Sequence, residues 1–459
     1  MQRITLRSAT FVVLEGLLIV GAAIVALYVR MGEDAGPLMP DGGVWKLVLI
    51  AAVTQACLYY ADLYNQRLVT DRREFFIRVL QAVGGAAVVL AGLYFWFPSL
   101  IIGRGVFLVA AVLIVLIVPG WRIAFQWLSG YVGPRERLLL VGASPAAIVL
   151  ARELDERRHD LGVEIVGFVD VGGDTAAIAE AGQAVLGTIE DIPSIVRARG
   201  VDRVVVSLAD ARGKLPMEKL LEMKLDGVTF DHLPSVYEEY TGKIAVENLR
   251  PSWLIFSAGF RRSRTIAALK RTMDVWIAAS GLVIGAPLLM LVAVLVRLTS
   301  PGPILYHQRR VGLRGHIFFV HKFRSMRQDA EATTGAVWAS PTGDSRVTPI
   351  GRFMRKTRID ELPQLWNILK GEMSFVGPRP ERPEFVTDLT RVIPYYGQRH
   401  IVRPGLTGWA QVCYTYGAST EDALQKLQYD LYYIKNLSVW LDFYIMFETI
   451  KTVVLRKGA

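Results

Sequence analysis

Cysteine is scarce in this chain, with only Cys57 and Cys413 among 459 residues. Cys57 lies in an apolar run and Cys413 lies far from it, near the C-terminus, so the sequence offers neither a disulfide framework nor a cysteine-based zinc site. The six histidines show no metal-ligand spacing either. These absences exclude disulfide-rich scaffolds and proteins built around a cysteine- or histidine-ligated metal.

A complete dinucleotide fingerprint is also absent. Residues 137–141 are typical of a buried strand and Gly142 follows them, but Ser144 and Ala147 occupy the positions of the other two glycines of G-x-G-x-x-G. Residues 136–255 contain no Tyr-x-x-x-Lys pair, which a short-chain nucleotide-sugar dehydratase would use. This region is therefore interpreted either as a nucleotide-binding domain or as a structural or dimerising module.

Long apolar runs are abundant. Hydrophobic residues make up 52% of the chain and its mean hydropathy is +0.33, which together indicate an integral membrane protein. Each of four apolar runs near the N-terminus approaches the roughly 20 residues that a helix needs to cross the hydrocarbon core. They predict a four-helix transmembrane bundle with helices over residues 10–29, 47–64, 79–97 and 106–128.

The distribution of basic residues predicts the orientation of this bundle. The N-terminus, the second loop and the segment after the fourth run are basic, whereas the first loop carries Glu33, Asp34 and Asp41. Positively charged loops stay in the cytoplasm, so both ends of the bundle are expected there. The first run lacks a small-residue cleavage site followed by a soluble chain, and we do not interpret it as a signal peptide.

Strand and helix patterns alternate in residues 136–255. Predicted helices separate predicted strands at residues 137–141, 164–169, 203–208 and 228–232. Such a βαβ series predicts a parallel sheet, and hence a Rossmann-like α/β middle domain.

A further apolar segment, residues 272–300, is interrupted by Gly281, Gly285 and Pro287. Proline removes a backbone hydrogen bond and kinks or breaks a helix. Because basic residues flank the segment on both sides, both flanks are expected on the cytoplasmic face, which a re-entrant helix broken at Pro287 satisfies. The alternative is a kinked helix that spans the membrane.

Charge is distributed unevenly along the chain. Residues 1–255 contain 24 basic and 27 acidic side chains, and residues 256–459 contain 28 and 15, so the two parts carry net charges of −3 and +13. The basic C-terminal part implies anionic partners, such as phosphate substrates or lipid headgroups. Nucleic acid is the weakest candidate because the chain has no recognised binding motif, and we expect no nucleic-acid partner.

Two adjacent carboxylates stand in this basic part. Asp360 and Glu361 follow Arg355, Lys356 and Arg358 within a few residues. Such a pair beside fixed cations suits a metal ion and a phosphate, because the acids can hold Mg²⁺ or attack phosphorus while arginines bind the phosphoryl oxygens. The alternative is an exposed acidic pair in the first turn of a helix.

Other cations are candidates for contacts with a phosphate or a nucleotide. Lys322 and Arg324 are separated by one phenylalanine, and Arg379 lies between two prolines. Together with Arg355 and Arg358 they form the predicted set of substrate-binding cations. For Lys322 and Arg324, a solvated strand edge is an equally good interpretation.

The C-terminal part contains four ordered motifs: Lys322-Phe323-Arg324-Ser325-Met326, Arg355 with Asp360-Glu361-Leu362-Pro363-Gln364, Gly377-Pro378-Arg379-Pro380, and Arg403-Pro404-Gly405-Leu406-Thr407-Gly408. By these motifs, the sequence from about residue 270 to residue 457 resembles the bacterial sugar transferase family, the polyprenyl-phosphate hexose-1-phosphate transferases. The whole chain, with its four N-terminal runs and its α/β middle domain, is similar to the large exopolysaccharide-type members.

The resemblance implies a monotopic phosphoglycosyl transferase in the bacterial inner membrane, with its catalytic domain on the cytoplasmic side. It would move a hexose 1-phosphate from a UDP-sugar onto undecaprenyl phosphate, release UMP and use Mg²⁺. Asp360 would be the nucleophile, and Glu361 would assist with metal or proton handling. Arg355 and Arg379 would contact phosphate or nucleotide, and Pro287 would be the helix-breaking proline of the re-entrant element.

The expected domains are the transmembrane helices at residues 1–130, the Rossmann-like domain at 136–255, and the catalytic domain at 265–459 with its re-entrant helix at 272–300. A fragment beginning near Phe256 is expected to keep transferase activity, and the middle domain is the expected contact of a homodimer. Two other functions remain open: a membrane-anchored nucleotide-sugar dehydratase or epimerase, and a non-catalytic scaffold of a polysaccharide assembly complex.

Overall fold

A computed structural model gives the structure of the chain. It describes residues 6–32, 43–61, 63–64, 72–101, 105–132, 136–156, 158, 162–170, 178–179, 182–207, 216–246, 249, 259–260, 263–327, 330, 346–414, 417 and 419–454.

The four N-terminal apolar runs are helices. Helix α1 packs against α2 and α4, and α3 packs against the same two neighbours. Alanines of α1 are fully buried, and small side chains of this kind let helices approach closely in an apolar environment. The helices are α1 (Leu6–Met31), α2 (Val44–Tyr60), α3 (Arg72–Trp96) and α4 (Val106–Val132).

By length and composition, three helices in the described part of the chain could cross a membrane. They are Val12–Met31, Phe75–Trp96 and Arg264–Thr299, and two shorter apolar helices cover Val44–Tyr60 and Val106–Arg122. The helices of the predicted bundle are therefore present, whereas the number that crosses the bilayer stays a prediction.

A buried ion pair joins the first and last helices of this bundle. The Arg122 guanidinium donates to both carboxylate oxygens of Glu15, at 2.7 and 3.0 Å, and it also donates to the carbonyl of Leu63. Removing one partner would leave a charge uncompensated in an apolar interior, so the pair fixes the relative placement of α1 and α4.

The middle domain contains a five-stranded parallel sheet with the strand order β3-β2-β1-β4-β5. Separate apolar cores cover its two faces, as the near-continuous apolar sequence of β1 requires. The strands are β1 (Glu136–Val141), β2 (Val163–Asp170), β3 (Val185–Thr188), β4 (Arg203–Val206) and β5 (Thr229–His232), and the helices are α5 (Pro145–Glu156), α6 (Ile192–Arg199), α7 (Met217–Leu225) and α8 (Leu233–Thr241).

This arrangement confirms the parallel sheet that the alternating pattern predicts. One strand of the sheet, β3, was not predicted from the sequence. It is four residues long, lies at the edge of the sheet and is buried on neither face, so it lacks the apolar run that marks the central strands.

The C-terminal domain begins with α9 (Arg264–Thr299) and continues with an antiparallel hairpin and short helices. Two short parallel strands, β8 and β9, hold its later loops together. The elements after α9 are β6 (Leu305–Val311), β7 (Ile317–Phe323), α10 (Pro349–Thr357), α11 (Gln364–Lys370), β8 (Ser374–Val376), α12 (Pro383–Val392), β9 (Gly405–Thr407), α13 (Trp409–Cys413), α14 (Thr420–Lys435) and α15 (Val439–Val454).

Helix α9 continues through Pro287, which lies inside it. The predicted break therefore does not interrupt the helix. Proline removes one backbone hydrogen bond, and the flanking turns of a long apolar helix keep theirs, so a kink is the strongest effect that one proline requires.

Both halves of α9 contact the same C-terminal domain. Before the proline, Ala278 is buried against α11, and the Arg271 guanidinium donates to two carbonyls at the end of that helix, at 2.6 and 2.7 Å. After it, Val296 packs with Met354 of α10. The apolar middle of the helix, including Ile284 with 80% of its surface exposed, has no protein cover.

The end of the middle domain is packed into the C-terminal domain. The Trp409 indole donates to the Gly242 carbonyl at 2.8 Å, and the Glu238 carboxylate accepts from Lys435, the last residue of α14, and from Asn436 after it. Three apolar side chains of the connecting segment belong to the core of the C-terminal domain: Ile244, Val246 and Leu249. A division near residue 256 therefore separates the catalytic domain from part of its own core.

This packing predicts where a catalytic fragment must begin. A fragment that starts at Thr241 keeps the three core side chains, whereas one that starts at Phe256 loses about 1.5–3 kcal/mol of burial for each of them. We expect the longer fragment to have the higher melting temperature, measured in the same detergent. Equal melting temperatures and equal yields for the two fragments would contradict this role of the connecting segment.

Candidate active site

Local backbone geometry buries the carboxylate pair. Thr348 caps the N-terminus of α10, since its hydroxyl accepts from the Gly351 amide at 3.0 Å, and Arg358 directly follows the helix. Arg358 has a φ of +58°, a left-handed conformation that costs a non-glycine residue about 1 kcal/mol or more. The chain then turns through a 3₁₀ segment, Ile359–Glu361, and both acids become buried. The alternative of an exposed acidic pair is therefore wrong.

Glu361 receives two cations on one oxygen. Its Oε1 atom lies 2.9 Å from Lys322 Nζ and 2.8 Å from an Arg379 guanidinium nitrogen. Burial opposes ionisation of Glu361, yet Arg379 and Lys322 together hold its pKa well below the usual range. Glu361 is therefore ionised, and the two cations that bind it hold it in place.

Asp360 has a different environment. Burial raises the pKa of Asp360 and the charge of Glu361 adds to the rise, while Lys322, Arg355 and Arg358 oppose it. Its Oδ1 atom is buried and accepts no hydrogen bond. A buried carboxylate oxygen without a partner is unfavourable by itself, and this is the atom that remains available to a ligand.

The structure separates the predicted cations into two groups. Lys322 and Arg379 meet at Glu361, and Arg355 and Arg358 act electrostatically on Asp360. Arg324 does not join them.

Instead, Arg324 is 5% exposed and donates to the carbonyl and the hydroxyl of Ser300, at 2.6 and 2.7 Å, where it caps the C-terminus of α9. If both residues belonged to one strand, Lys322 and Arg324 would point to the same face, because they are two residues apart. However, β7 ends at Phe323, so the alternation no longer applies to Arg324. Arg324 thus lies apart from the cations at Glu361, and its contact with substrate stays a prediction.

The residues present fit a magnesium ion that also uses substrate oxygens. Among the residues that the structure describes, no group of three or more His, Cys, Asp or Glu side chains could hold a metal. Magnesium usually takes one or two carboxylates together with substrate phosphates and water. The unpartnered Oδ1 of Asp360 and the neighbouring Glu361 provide such a pair.

The loop that carries Arg379 packs closely against the loop of residues 403–408 through two glycines. The sequence did not predict this contact. A Cβ at Gly377 would lie 2.4 Å from the Arg403 carbonyl oxygen, and one at Gly405 would lie 2.1 Å from the Gly377 nitrogen. Each glycine belongs to one of the two motifs of glycine and proline quoted above, residues 377–380 and 403–408. The two motifs were therefore recognisable in the sequence, but their contact with each other was not.

In the middle domain, the incomplete fingerprint lies at the carboxyl ends of β1 and β4. Gly142 has a φ of +96°, and the hydroxyl oxygens of Ser144 and Ser207 lie 2.5 Å apart. This is the point in the 3-2-1-4-5 strand order where a dinucleotide pyrophosphate would bind. The hydrogen bond between the two serines joins the chain after β1 to the chain after β4 at this position, and both interpretations of the domain stay open.

Two family models match the chain. The model described as bacterial sugar transferase matches residues 265–456, and the model described as CoA-binding domain matches residues 60–219. The first covers the C-terminal domain with the carboxylate pair, and the second includes most of the middle domain.

Several characterised proteins are similar to this chain. UDP-N-acetylgalactosamine-undecaprenyl-phosphate N-acetylgalactosaminephosphotransferase of Aeromonas hydrophila is 43% identical over 56% of this chain, and the match spans 60% of that protein's length. UDP-glucose:undecaprenyl-phosphate glucose-1-phosphate transferase of Xanthomonas campestris pv. campestris is 34% identical over 71% of this chain and 68% of its own length. The protein of the same name from Escherichia coli (strain K12) is 33% identical over 74% and 72%, respectively.

The segments matched by the two family models include the carboxylate pair, its cations and most of the α/β middle domain. The two glucose-1-phosphate transferases are aligned over more than two thirds of their own length. On these grounds, the chain belongs to the polyprenyl-phosphate hexose-1-phosphate transferase family, in the large form that carries an α/β domain before the sugar transferase domain.

Proposed function

We propose that the protein transfers a hexose 1-phosphate from a UDP-sugar to undecaprenyl phosphate and releases UMP, as the first step in the synthesis of an exopolysaccharide or a related glycan. The observation that carries this proposal is the buried Asp360–Glu361 pair, in which two cations occupy Glu361 while an Asp360 oxygen has no partner. The names of the relatives, which act on undecaprenyl phosphate, support the acceptor.

In the proposed mechanism, Asp360 is the nucleophile. Its Oδ1 attacks the phosphorus next to the sugar, the bond between the two phosphates of the donor breaks, and UMP leaves. An oxygen of undecaprenyl phosphate then attacks the same phosphorus and frees the Asp360 carboxylate. A carboxylate nucleophile divides the transfer into two displacements at one site. Glu361 is less suited to attack because Lys322 and Arg379 share its Oε1 atom.

The cations around the pair have a second role in the proposed reaction. Negative charge gathers on the transferring phosphoryl group and on the leaving UMP, and fixed cations in a buried site stabilise that charge. Arg355 and Arg358 raise the positive potential at Asp360, while Arg379 and Lys322 bind the neighbouring Glu361. Mg²⁺ held by Asp360, Glu361 and donor phosphate oxygens would neutralise further phosphate charge.

Substitution of the nucleophile should abolish turnover. We expect Asp360→Asn to lower the rate of UMP release about 10³-fold or more, because the amide cannot form the acyl phosphate. Asp388→Asn, the same substitution at an exposed position of α12, is the matched control and should be neutral. The assay supplies undecaprenyl phosphate and a panel of UDP-sugars, which also identifies the hexose. Full activity of Asp360→Asn would eliminate Asp360 as the nucleophile.

The same proposal predicts a covalent intermediate. Wild-type protein incubated with the accepted UDP-sugar alone should gain the mass of one hexose 1-phosphate less one water, and undecaprenyl phosphate should remove the added group. Intact mass spectrometry measures both changes, and Asp388→Asn should behave as the wild type does. A wild-type enzyme that turns over in the complete assay, yet never carries the adduct, would indicate direct transfer instead.

We further propose that α9 enters the membrane and returns on the cytoplasmic side, in a multi-pass protein of the bacterial inner membrane. Two observations support this course: both halves of α9 contact one domain, and the apolar side chains near Pro287, such as Val283 and Ile284, are exposed. A straight helix of 36 residues would be about 54 Å long, well above the roughly 30 Å of the hydrocarbon core, so a return to the cytoplasmic side requires α9 to bend strongly at Pro287 in the membrane. A homodimer formed through the middle domain also stays a prediction.

Cysteine labelling tests the re-entrant course. In a chain that carries Cys57→Ala and Cys413→Ala, we expect single cysteines at Thr265 and His316 to react only with reagent on the cytoplasmic side, because both flanks of α9 are expected there. A cysteine at Ala35, in the predicted outer loop, is the control and should react from outside. Labelling of Thr265→Cys and His316→Cys from opposite sides would show that α9 spans the membrane.

A further inference from the structure

The loop that carries Arg379 is held by its main-chain carbonyl groups. It contains two prolines, which have no N–H group, so it cannot form a regular ladder of backbone hydrogen bonds. The Pro378 carbonyl accepts from the Gly405 amide at 2.9 Å. The next two carbonyls accept from guanidinium groups: that of Arg379 from Arg399 at 3.0 Å, and that of Pro380 from Arg310 at 2.9 Å.

Arg399 reaches this loop from inside the protein. It is 5% exposed and forms an ion pair of 2.8 Å with Asp430 of α14, which is 1% exposed. It also donates to the Tyr396 hydroxyl at 2.5 Å. A buried ion pair adds little stability compared with apolar residues of similar volume. We therefore ask which groups this ion pair holds in place.

The geometry links the pair to the proposed active site. Arg379 is fixed at both ends: Arg399 binds its carbonyl, and its guanidinium meets Glu361 at 2.8 Å. Neutralising Asp430 requires only the ion pair. It does not require the hydrogen bond from Arg399 to the Arg379 carbonyl. A displacement of about 1 Å at a substrate-positioning group can lower a rate about 100-fold.

We infer that Arg399, oriented by Asp430, is a positioning residue of the transferase: it holds the main chain of Arg379 so that the Arg379 side chain meets Glu361. This inference rests on the proposed function. Arg399 touches neither Asp360 nor Glu361 in the structure, and it acts only through Arg379.

A double-mutant cycle tests this role in the full-length protein. Arg399→Lys keeps the charge opposite Asp430, but a single ammonium group cannot reproduce the guanidinium contacts with Asp430, Tyr396 and the Arg379 carbonyl together. We expect it to lower kcat/KM for UMP release about 10–100-fold. In the Arg379→Ala background, the same substitution should cost less than about threefold, because the side chain being positioned is gone.

The control is Arg391→Lys, at a position of α12 whose side chain is 76% exposed, and it should leave kcat/KM unchanged in both backgrounds. Thermal unfolding of each variant is measured alongside. A purely structural role of Arg399 would lower the melting temperature and reduce activity equally in both backgrounds.

Asp430→Asn provides a second route to the same result. It preserves the shape of the side chain and removes the charge that orients Arg399, so it should reduce kcat/KM in the wild-type background and have little effect after Arg379→Ala. It decides the question if Arg399→Lys does not fold. Equal losses in the two backgrounds, or no loss in either, would overturn the inference while leaving the proposed function intact. A wild-type protein that releases no UMP from any UDP-sugar would overturn both.

Discussion

The charge of one carboxylate, Glu361, joins the parts of this site. Its Oε1 atom binds Lys322 from β7 and Arg379 from the loop after β8, while the acid itself lies on the 3₁₀ turn after α10. Burial alone would disfavour an ionised Glu361, and the two cations reverse that preference. Three segments of chain are thereby fixed around Asp360, whose Oδ1 atom is buried and has no hydrogen-bond partner.

A second constraint comes from the long apolar helix. The two halves of α9 pack on α11 and α10, the helices on either side of the 3₁₀ turn, so the membrane element and the carboxylate pair share one framework. Arg324 strengthens that framework by capping the end of α9 at Ser300. The proposed reaction joins a water-soluble nucleotide sugar to a lipid phosphate, and this shared framework would hold the carboxylate pair close to the apolar helix proposed to enter the bilayer.

The middle domain is joined to the catalytic domain by more than a linker. Gly242 accepts the indole hydrogen bond of Trp409, and Trp409 directly follows Gly408, which packs against Gly377 near Arg379. The core contributions of residues 244–249 extend this contact. The large form of the enzyme therefore includes an α/β domain whose end is part of the catalytic domain, whatever else that domain binds.

The sequence alone determined the features that depend on neighbouring residues: the apolar helices, the parallel sheet of the middle domain and the identity of the carboxylate pair. Periodicity and composition within a short window encode these. Only the tertiary structure decided which cations reach the pair, because Lys322 is 39 residues from Glu361 along the chain and Arg324, two positions later, turns away after β7 ends. The left-handed Arg358 and the burial of both acids depend in the same way on packing between distant segments, for which a local pattern carries no signal.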